Sequence, residues 1–149
     1  MSLEIPADIL TAIHAHGEEA YPEEGAGFLL GTDGSHVTPR RVQAILPLPN
    51  SRERDARHNR YLITPKDYLQ AELEADRRGL SLIGVFHSHP DHPNRPSEFD
   101  REWAQPFFSY LITSVERGRA VASRSWRLRE DRSAFDEERL SVLTGETKE

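Results

Sequence analysis

The sequence predicts an α+β fold, a mixed and mostly antiparallel sheet flanked by helices. Three observations carry that expectation. Short β-type runs recur from Ala26 to Leu128, and tight-turn signals join some of them, at Asp33-Gly34 and at Glu116-Arg117-Gly118-Arg119. Two segments of helical periodicity, after Pro6 and after Pro65, fall between those runs. One apolar run, Leu80 to Phe86, stops at His87-Ser88-His89-Pro90 and reads as the central strand. A chain of 149 residues with 36% hydrophobic and 30% charged residues suits one domain, 1–149, around a single core.

Taken in order, Pro6 to about Ala20 reads as a helix. Proline suits its first turn, and Ile5, Ile9, Ala12, Ile13 and His16 make an approximate stripe. Tyr21-Pro22 ends it. Ala26 to Thr32 is a strand, Asp33-Gly34 a hairpin turn, and Ser35 to about Leu48 the returning strand. Pro47, Pro49 and a charged run to Asn59 form a loop. Tyr61 to Thr64 is a short strand, with Thr64 capping a helix from Pro65 to about Arg78 that Gly79 terminates. Tyr68, Leu69, Leu73 and Ala75/Asp76 give that helix a partial stripe. After the central strand, a proline-rich loop to Pro96 leads into a short helix from Ser97 to Trp103 or Gln105. Phe107 to Val115 and Ala120 to Leu128 form a hairpin, with Phe108 and Trp126 as core anchors. Phe135 to Leu143 has features of both strand and helix and is read as a strand; 144–149 reads as a frayed tail.

Bulk properties exclude several classes of function. With no cysteine there is no disulfide, thiolate ligand or thiol nucleophile. No apolar run approaches the length of a membrane span, and Met-Ser-Leu-Glu-Ile-Pro is no signal peptide, so the expectation is a cytoplasmic protein without a membrane partner. A net charge of −6 argues against nucleic acid as the main partner. Arginine is nonetheless dense at Arg52, Arg54, Arg57 and Arg60 and again at Arg117, Arg119, Arg124, Arg127 and Arg129. Solvated faces are the preferred reading, and docking of an acidic protein the alternative.

The chemistry gathers at the end of the central strand. Side chains alternate along a strand, so His87 and His89 face one way and Ser88 the other. Ser97 and Asp100 follow, giving His-x-His-x7-Ser-x-x-Asp. Asp100 stands one turn into the next helix, where it can turn back as a third ligand. Two imidazoles and a carboxylate leave an open corner on a tetrahedral zinc, the catalytic arrangement. Blander readings exist for each part: a satisfied histidine pair at a strand end, and a capping box in Ser97-Glu98-Phe99-Asp100. Capping and catalysis are compatible for Ser97. A general base is also needed. Glu23 and Glu24 are both candidates; strand parity with Phe28 and Leu30 hints at Glu24, and without the histidine motif both would read as exposed acids.

His87-Ser88-His89-Pro90 through Ser97 and Asp100 resembles the JAMM (MPN-plus, Mov34/PAD-1) metalloprotease family. Tyr21 to Gly31 is similar to that family's other motif, a glutamate three residues before a glycine that leads an apolar strand. Ala26 departs from the cysteine that many relatives carry. The resemblance implies a deaminase-like JAB/MPN fold, Zn2+ held by His87, His89 and Asp100, Glu24 as base and Ser97 as the donor to the substrate carbonyl oxygen. It further implies a peptidase or isopeptidase of the compact bacterial type, which cuts after the C-terminal Gly-Gly of a ubiquitin-like sulfur-carrier protein. Two alternatives from the wider family are a non-enzymatic scaffold, disfavoured because the ligands are all present, and a DNA-repair-associated member, which the acidic charge disfavours.

Overall fold

The computed structural model describes residues 1–35, 37–49 and 63–144. In chain order its elements are β1 (Ser2–Pro6), α1 (Ala7–Ala20), β2 (Ala26–Thr32), β3 (Arg40–Pro47) and α2 (Pro65–Arg77). They continue with β4 (Ser81–Pro90), α3 (Glu98–Trp103), β5 (Ser109–Glu116), β6 (Arg119–Leu128) and β7 (Phe135–Leu143). The strands pair in the order β1-β3-β2-β4-β5-β6-β7, and β7 pairs β1, so the sheet curls back on itself. Pairing is parallel for β1 with β3, β1 with β7 and β4 with β5, and antiparallel elsewhere. This is the mixed, mostly antiparallel sheet the sequence predicts.

Alternation along the strands builds a core on each face. Phe28, Val85 and Tyr110 point to the face that α2 covers, where they meet Ala71, Phe108 and Leu128. Their neighbours Leu29, Phe86 and Leu111 point to the other face and pack with Leu3, Ile5 and Ile13 under α1. Burial of a large apolar side chain contributes about 1.5–3 kcal/mol, so these two clusters hold the helices onto the sheet.

Several boundaries differ from the sequence reading, each for a physical reason. β1 was not foreseen: it is five residues long, and its partner β7 lies at the far end of the chain. Pro6 ends β1 and caps α1 from extended backbone instead of lying in the first turn. The turn after β2 falls later than Asp33-Gly34. There the Ser35 N–H donates to the Thr38 carbonyl at 2.8 Å, and the two hydroxyls lie 2.9 Å apart. Pro39 has no N–H to give to a ladder, so β3 begins at Arg40 and Val37 is left 88% exposed. In α2 the small residues Ala71 and Ala75 lie on the sheet, while Leu69 and Leu73 face outward, because small residues let the helix approach closely. Ile63 and Thr64 are not in a strand, although Thr64 does cap α2: Asp67 N–H donates to its hydroxyl at 3.1 Å, and its own N–H donates to the Asp67 carboxylate at 2.8 Å.

Other expectations hold. Arg117 and Gly118 both have positive φ, 52° and 86°, as a two-residue hairpin turn requires. Gly79 stops α2 at φ 71°. The last segment is a strand, and its acids pair with the second arginine group: Arg127 with buried Glu138 at 2.9 Å and Arg129 with Asp136 at 2.9 Å. Those guanidiniums are therefore engaged within the sheet. Residues 50–62, with the first arginine group and the start of the strand expected from Tyr61, and the tail beyond Thr144 lie outside the described residues. Among the described residues no helix is long and apolar enough to cross a membrane.

Candidate metal centre and its cleft

β4 runs between β2 and β5, with His87 opposite Ala26 on one side and Ile112 on the other. Its end is thus held from both sides, and the two histidines project from a rigid element. His87, His89 and Asp100 are buried, at 1%, 6% and 5% exposure. His87 Nε2 and His89 Nε2 lie 3.2 Å apart, Asp100 Oδ1 is 3.4 Å from the first, and Asp100 Oδ2 is 3.3 Å from the second. A tetrahedral ion with bonds of about 2.0–2.1 Å spaces its ligand atoms about 3.3 Å apart, so this donor set fits such an ion. Among the described residues these three form the cluster able to hold a metal.

Asp100, the third member of the cluster, is positioned by a helix too short to be stable alone. Both ends of α3 are tied down. At its N-terminus the Ser97 hydroxyl accepts from Asp100 N–H at 3.1 Å, and Ser97 N–H donates to Asp100 Oδ2 at 2.7 Å. The capping box thus uses the same carboxylate that faces the two histidines, its oxygens shared between the helix end and the imidazoles. At the C-terminus the Arg132 guanidinium donates to the carbonyls of Ala104, Arg101 and Glu102 at 2.9, 3.0 and 3.2 Å. That cap comes from the β6–β7 connection, and no local motif announces it.

His89 Nδ1 donates to the Pro93 carbonyl at 2.8 Å, which leaves Nε2 as the ring atom able to bind a metal. The same loop is held by Trp126, whose indole N–H donates to the Asn94 carbonyl at 3.0 Å. Trp126 is therefore a half-buried loop tether and not a core anchor; Phe108, at 4% exposure, is the core anchor expected.

Electrostatics follow from the burial. For Asp100, burial favours the neutral acid, but the charge of His87 and hydrogen bonds from His87, His89 and Ser97 outweigh it and hold the carboxyl below its usual range. Burial lowers His87, against the pull of Asp100. Burial also opposes charge on His89, but hydrogen bonds to Asp100 and Pro93 and the charges of Asp100 and Glu24 leave it raised.

The centre opens into a cleft of about 610 Å³ whose walls include Glu24, His89, His92, Pro93, Ser97 and Phe99. The structure thus brings Glu24 and Ser97 to the mouth of the His87-His89-Asp100 cluster. Glu23 does not line the cleft; its N–H donates to the Ala20 carbonyl at 2.9 Å. His92 is the exposed loop histidine expected, although it forms part of the wall. Ser88 points to the α1 side, as alternation requires.

Residues 6–129 match the family described as prokaryotic homologs of the JAB domain. The chain belongs to that family, the compact branch of the JAMM/MPN-plus proteins. It is 33% identical over 118 residues to a Thermus thermophilus protein named "Probable TtuB-protein conjugate cleaving protease", covering 79% of this chain and 74% of that one. It is 32% identical over 127 residues to the desampylase of Haloferax volcanii, covering 80% and 85%. A solved Salinibacter ruber structure aligns over 98% of this chain and 95% of its own, with TM-score 0.73 and 43% identity. A JAB1/MPN domain protein from Archaeoglobus fulgidus shares the fold at TM-score 0.59 and 19% identity, over 96% and 99%. The JAMM-family chain described here is accordingly a hydrolase.

Proposed function

We propose that this JAMM-family hydrolase is a zinc peptidase or isopeptidase that cuts after the C-terminal Gly-Gly of a ubiquitin-like, sulfur-carrier protein. The observation that supports it most is the meeting of Glu24 and Ser97 with the buried His87-His89-Asp100 cluster in one cleft. The names of the relatives support a ubiquitin-like substrate. Bound at the two imidazoles and the carboxylate, zinc would supply Lewis acidity and lower the pKa of a water to about 7.

The chain's own residues would do the rest. Glu24 takes a proton as the water oxygen bonds to the scissile carbonyl carbon, and returns it to the leaving nitrogen when the C–N bond breaks. The Ser97 oxygen already accepts from Asp100 N–H, so its hydrogen is available to donate to the carbonyl oxygen as negative charge develops there. Ser97→Ala is expected to lower kcat by roughly 10²–10³-fold while zinc stays bound; metal analysis of the purified variant, run beside the kinetics, checks both halves.

Zinc affinity should fall with acidity. Asp100 is held below its usual range and His87 is lowered, so both are shifted towards the deprotonated form that binds a metal. His89 is raised, so the metal-free protein holds a proton there that zinc must displace. Calorimetric titration in two buffers of different ionisation enthalpy should show proton release on zinc binding below the raised value, declining as pH rises past it.

Intact-mass analysis of a Gly-Gly-tailed carrier extended by a few residues, incubated with the zinc-loaded protein, tests the whole reading. Cleavage after the second glycine is expected. An uncut carrier with zinc still bound would refute the substrate class and leave the metal centre standing.

A further inference from the structure

Ser88 has no part in the chemistry above, yet it holds the segment that leads from Glu24 into β2. The β2–β4 ladder pairs Ala26 with His87, so the next rung would pair Gly25 with Ser88. In a hydrogen-bonded antiparallel pair, the two residues exchange both N–H to carbonyl bonds. Here only one of those bonds is backbone to backbone: Ser88 N–H donates to the Gly25 carbonyl at 3.0 Å. The return bond runs from Gly25 N–H to the Ser88 hydroxyl oxygen at 2.8 Å. A side chain has taken the place of a carbonyl in the last rung. The chain leaves the sheet at this point, and the next residue back is Glu24, on the cleft wall.

The clamp is sealed from the α1 side. Ser88 is 3% exposed, and a Cβ on Gly17 would stand 3.2 Å from the Ser88 Cβ. A Cβ on Gly25 would stand 3.0 Å from the Ala20 Cβ and 3.0 Å from the His16 ring. Neither Gly25 nor Ser88 therefore has room to shift without moving the helix. The far end of the same segment is tied independently, because the Tyr21 hydroxyl donates to Asp91 at 2.6 Å, in the loop after His89. On the sheet side of Glu24 the segment is held at Gly25, by the Ser88 hydroxyl and the Ser88 N–H.

We infer that Ser88, the residue between the two histidine ligands, is a positioning residue for Glu24: its buried hydroxyl sets the distance between the base and the metal centre by holding Gly25. The inference rests on Glu24 being the base. Losing the hydroxyl leaves the Gly25 N–H buried without its acceptor and frees the Glu24 backbone to move. A displacement of the order of 1 Å at a reacting group lowers rates by up to about 100-fold.

The test uses the zinc-loaded chain with Ser88→Ala, Glu24→Gln and the double variant, together with Ser88→Thr and Ser88→Val. The last two have the same shape and differ in the hydroxyl. Ser88→Ala is expected to lower kcat by roughly 10- to 100-fold with KM and zinc content unchanged. Added to Glu24→Gln it should cost nothing more, because its effect passes through that carboxylate. Ser88→Thr should run well above Ser88→Val, since both carry the same extra methyl in the sealed space and only threonine keeps the hydroxyl. Independently of activity, the Gly25 amide should exchange with solvent faster in Ser88→Ala and Ser88→Val than in wild type, followed by NMR on the metal-free protein. Wild-type kcat in Ser88→Ala, a further loss in the double variant, or equal rates for the threonine and valine variants would each overturn the inference. Should Ser88→Ala lose its zinc or fail to fold, the threonine and valine pair decides alone. If instead Glu24→Gln keeps wild-type activity, the general-base reading has failed and takes this inference with it, an outcome told apart because an inactive Glu24→Gln accompanies every other result.

Discussion

Replacing Asp100 with asparagine is expected to abolish stable zinc binding while leaving the metal-free fold almost unchanged. The carboxylate has two separable tasks. Its Oδ2 accepts from Ser97 N–H at 2.7 Å to close the helix cap, and both oxygens face the histidine Nε2 atoms at 3.3–3.4 Å. Asparagine can still accept from Ser97 N–H, so the cap survives, but it brings no negative charge to the ion. Zinc sites with four protein ligands bind with about 10–16 kcal/mol, so one ligand accounts for about 3–4 kcal/mol, or roughly 10²–10³-fold in affinity. Asp100→Ala removes both tasks. Beyond the same loss of zinc, it should cost the metal-free protein about 1 kcal/mol and lower its Tm by about 2–4 °C. Competition with a chromophoric chelator measures the first effect and thermal unfolding in a chelator the second. If Asp100→Asn bound zinc as tightly as wild type, the carboxylate would be a helix cap and nothing more.

Glu24→Gln should show the complementary behaviour, with zinc retained and catalysis lost. Glutamine has the size of glutamate and can sit on the same wall of the cleft, but it cannot take a proton from water. General acid–base catalysis contributes about 10²–10⁴-fold, and a fall of that order in kcat with little change in KM is the expected result. Glu23→Gln is the internal control. Its side chain does not line the cleft, and the expected change is within about twofold. Single-turnover cleavage of the extended carrier, followed by intact mass, separates the two variants. Equal losses in both would show that the acidic pair acts together, for instance by attracting the substrate, and would remove the specific role of Glu24.

Much of this molecule was legible in its sequence because the relevant signals are local. His87 and His89 sit two apart at the end of an apolar run, so strand alternation alone places them on one face. Ser97 and Asp100 carry a reciprocal cap in four residues, and Thr64 and Asp67 repeat it. The α+β class and the β5–β6 turn follow from periodicity and from the Arg117-Gly118 pair. What the sequence could not supply depends on residues far apart in the chain. β1 depends on β3 and β7 on either side of it, both distant in the chain. The outward face of α2 was misread because the choice between Leu69 and Ala71 is made by how closely the sheet approaches, not by hydrophobicity. Trp126 looked like core until the Asn94 carbonyl, 32 residues away, was found to hold its indole N–H. Glu24 and Glu23 are chemically identical neighbours, and strand parity separates them only weakly; the path of the chain out of the last β2–β4 rung puts Glu24 on the cleft wall. Donor types and their spacing are thus properties of the sequence, whereas the directions in which buried polar groups close on one another belong to tertiary packing, since each such bond needs a partner that local sequence does not encode.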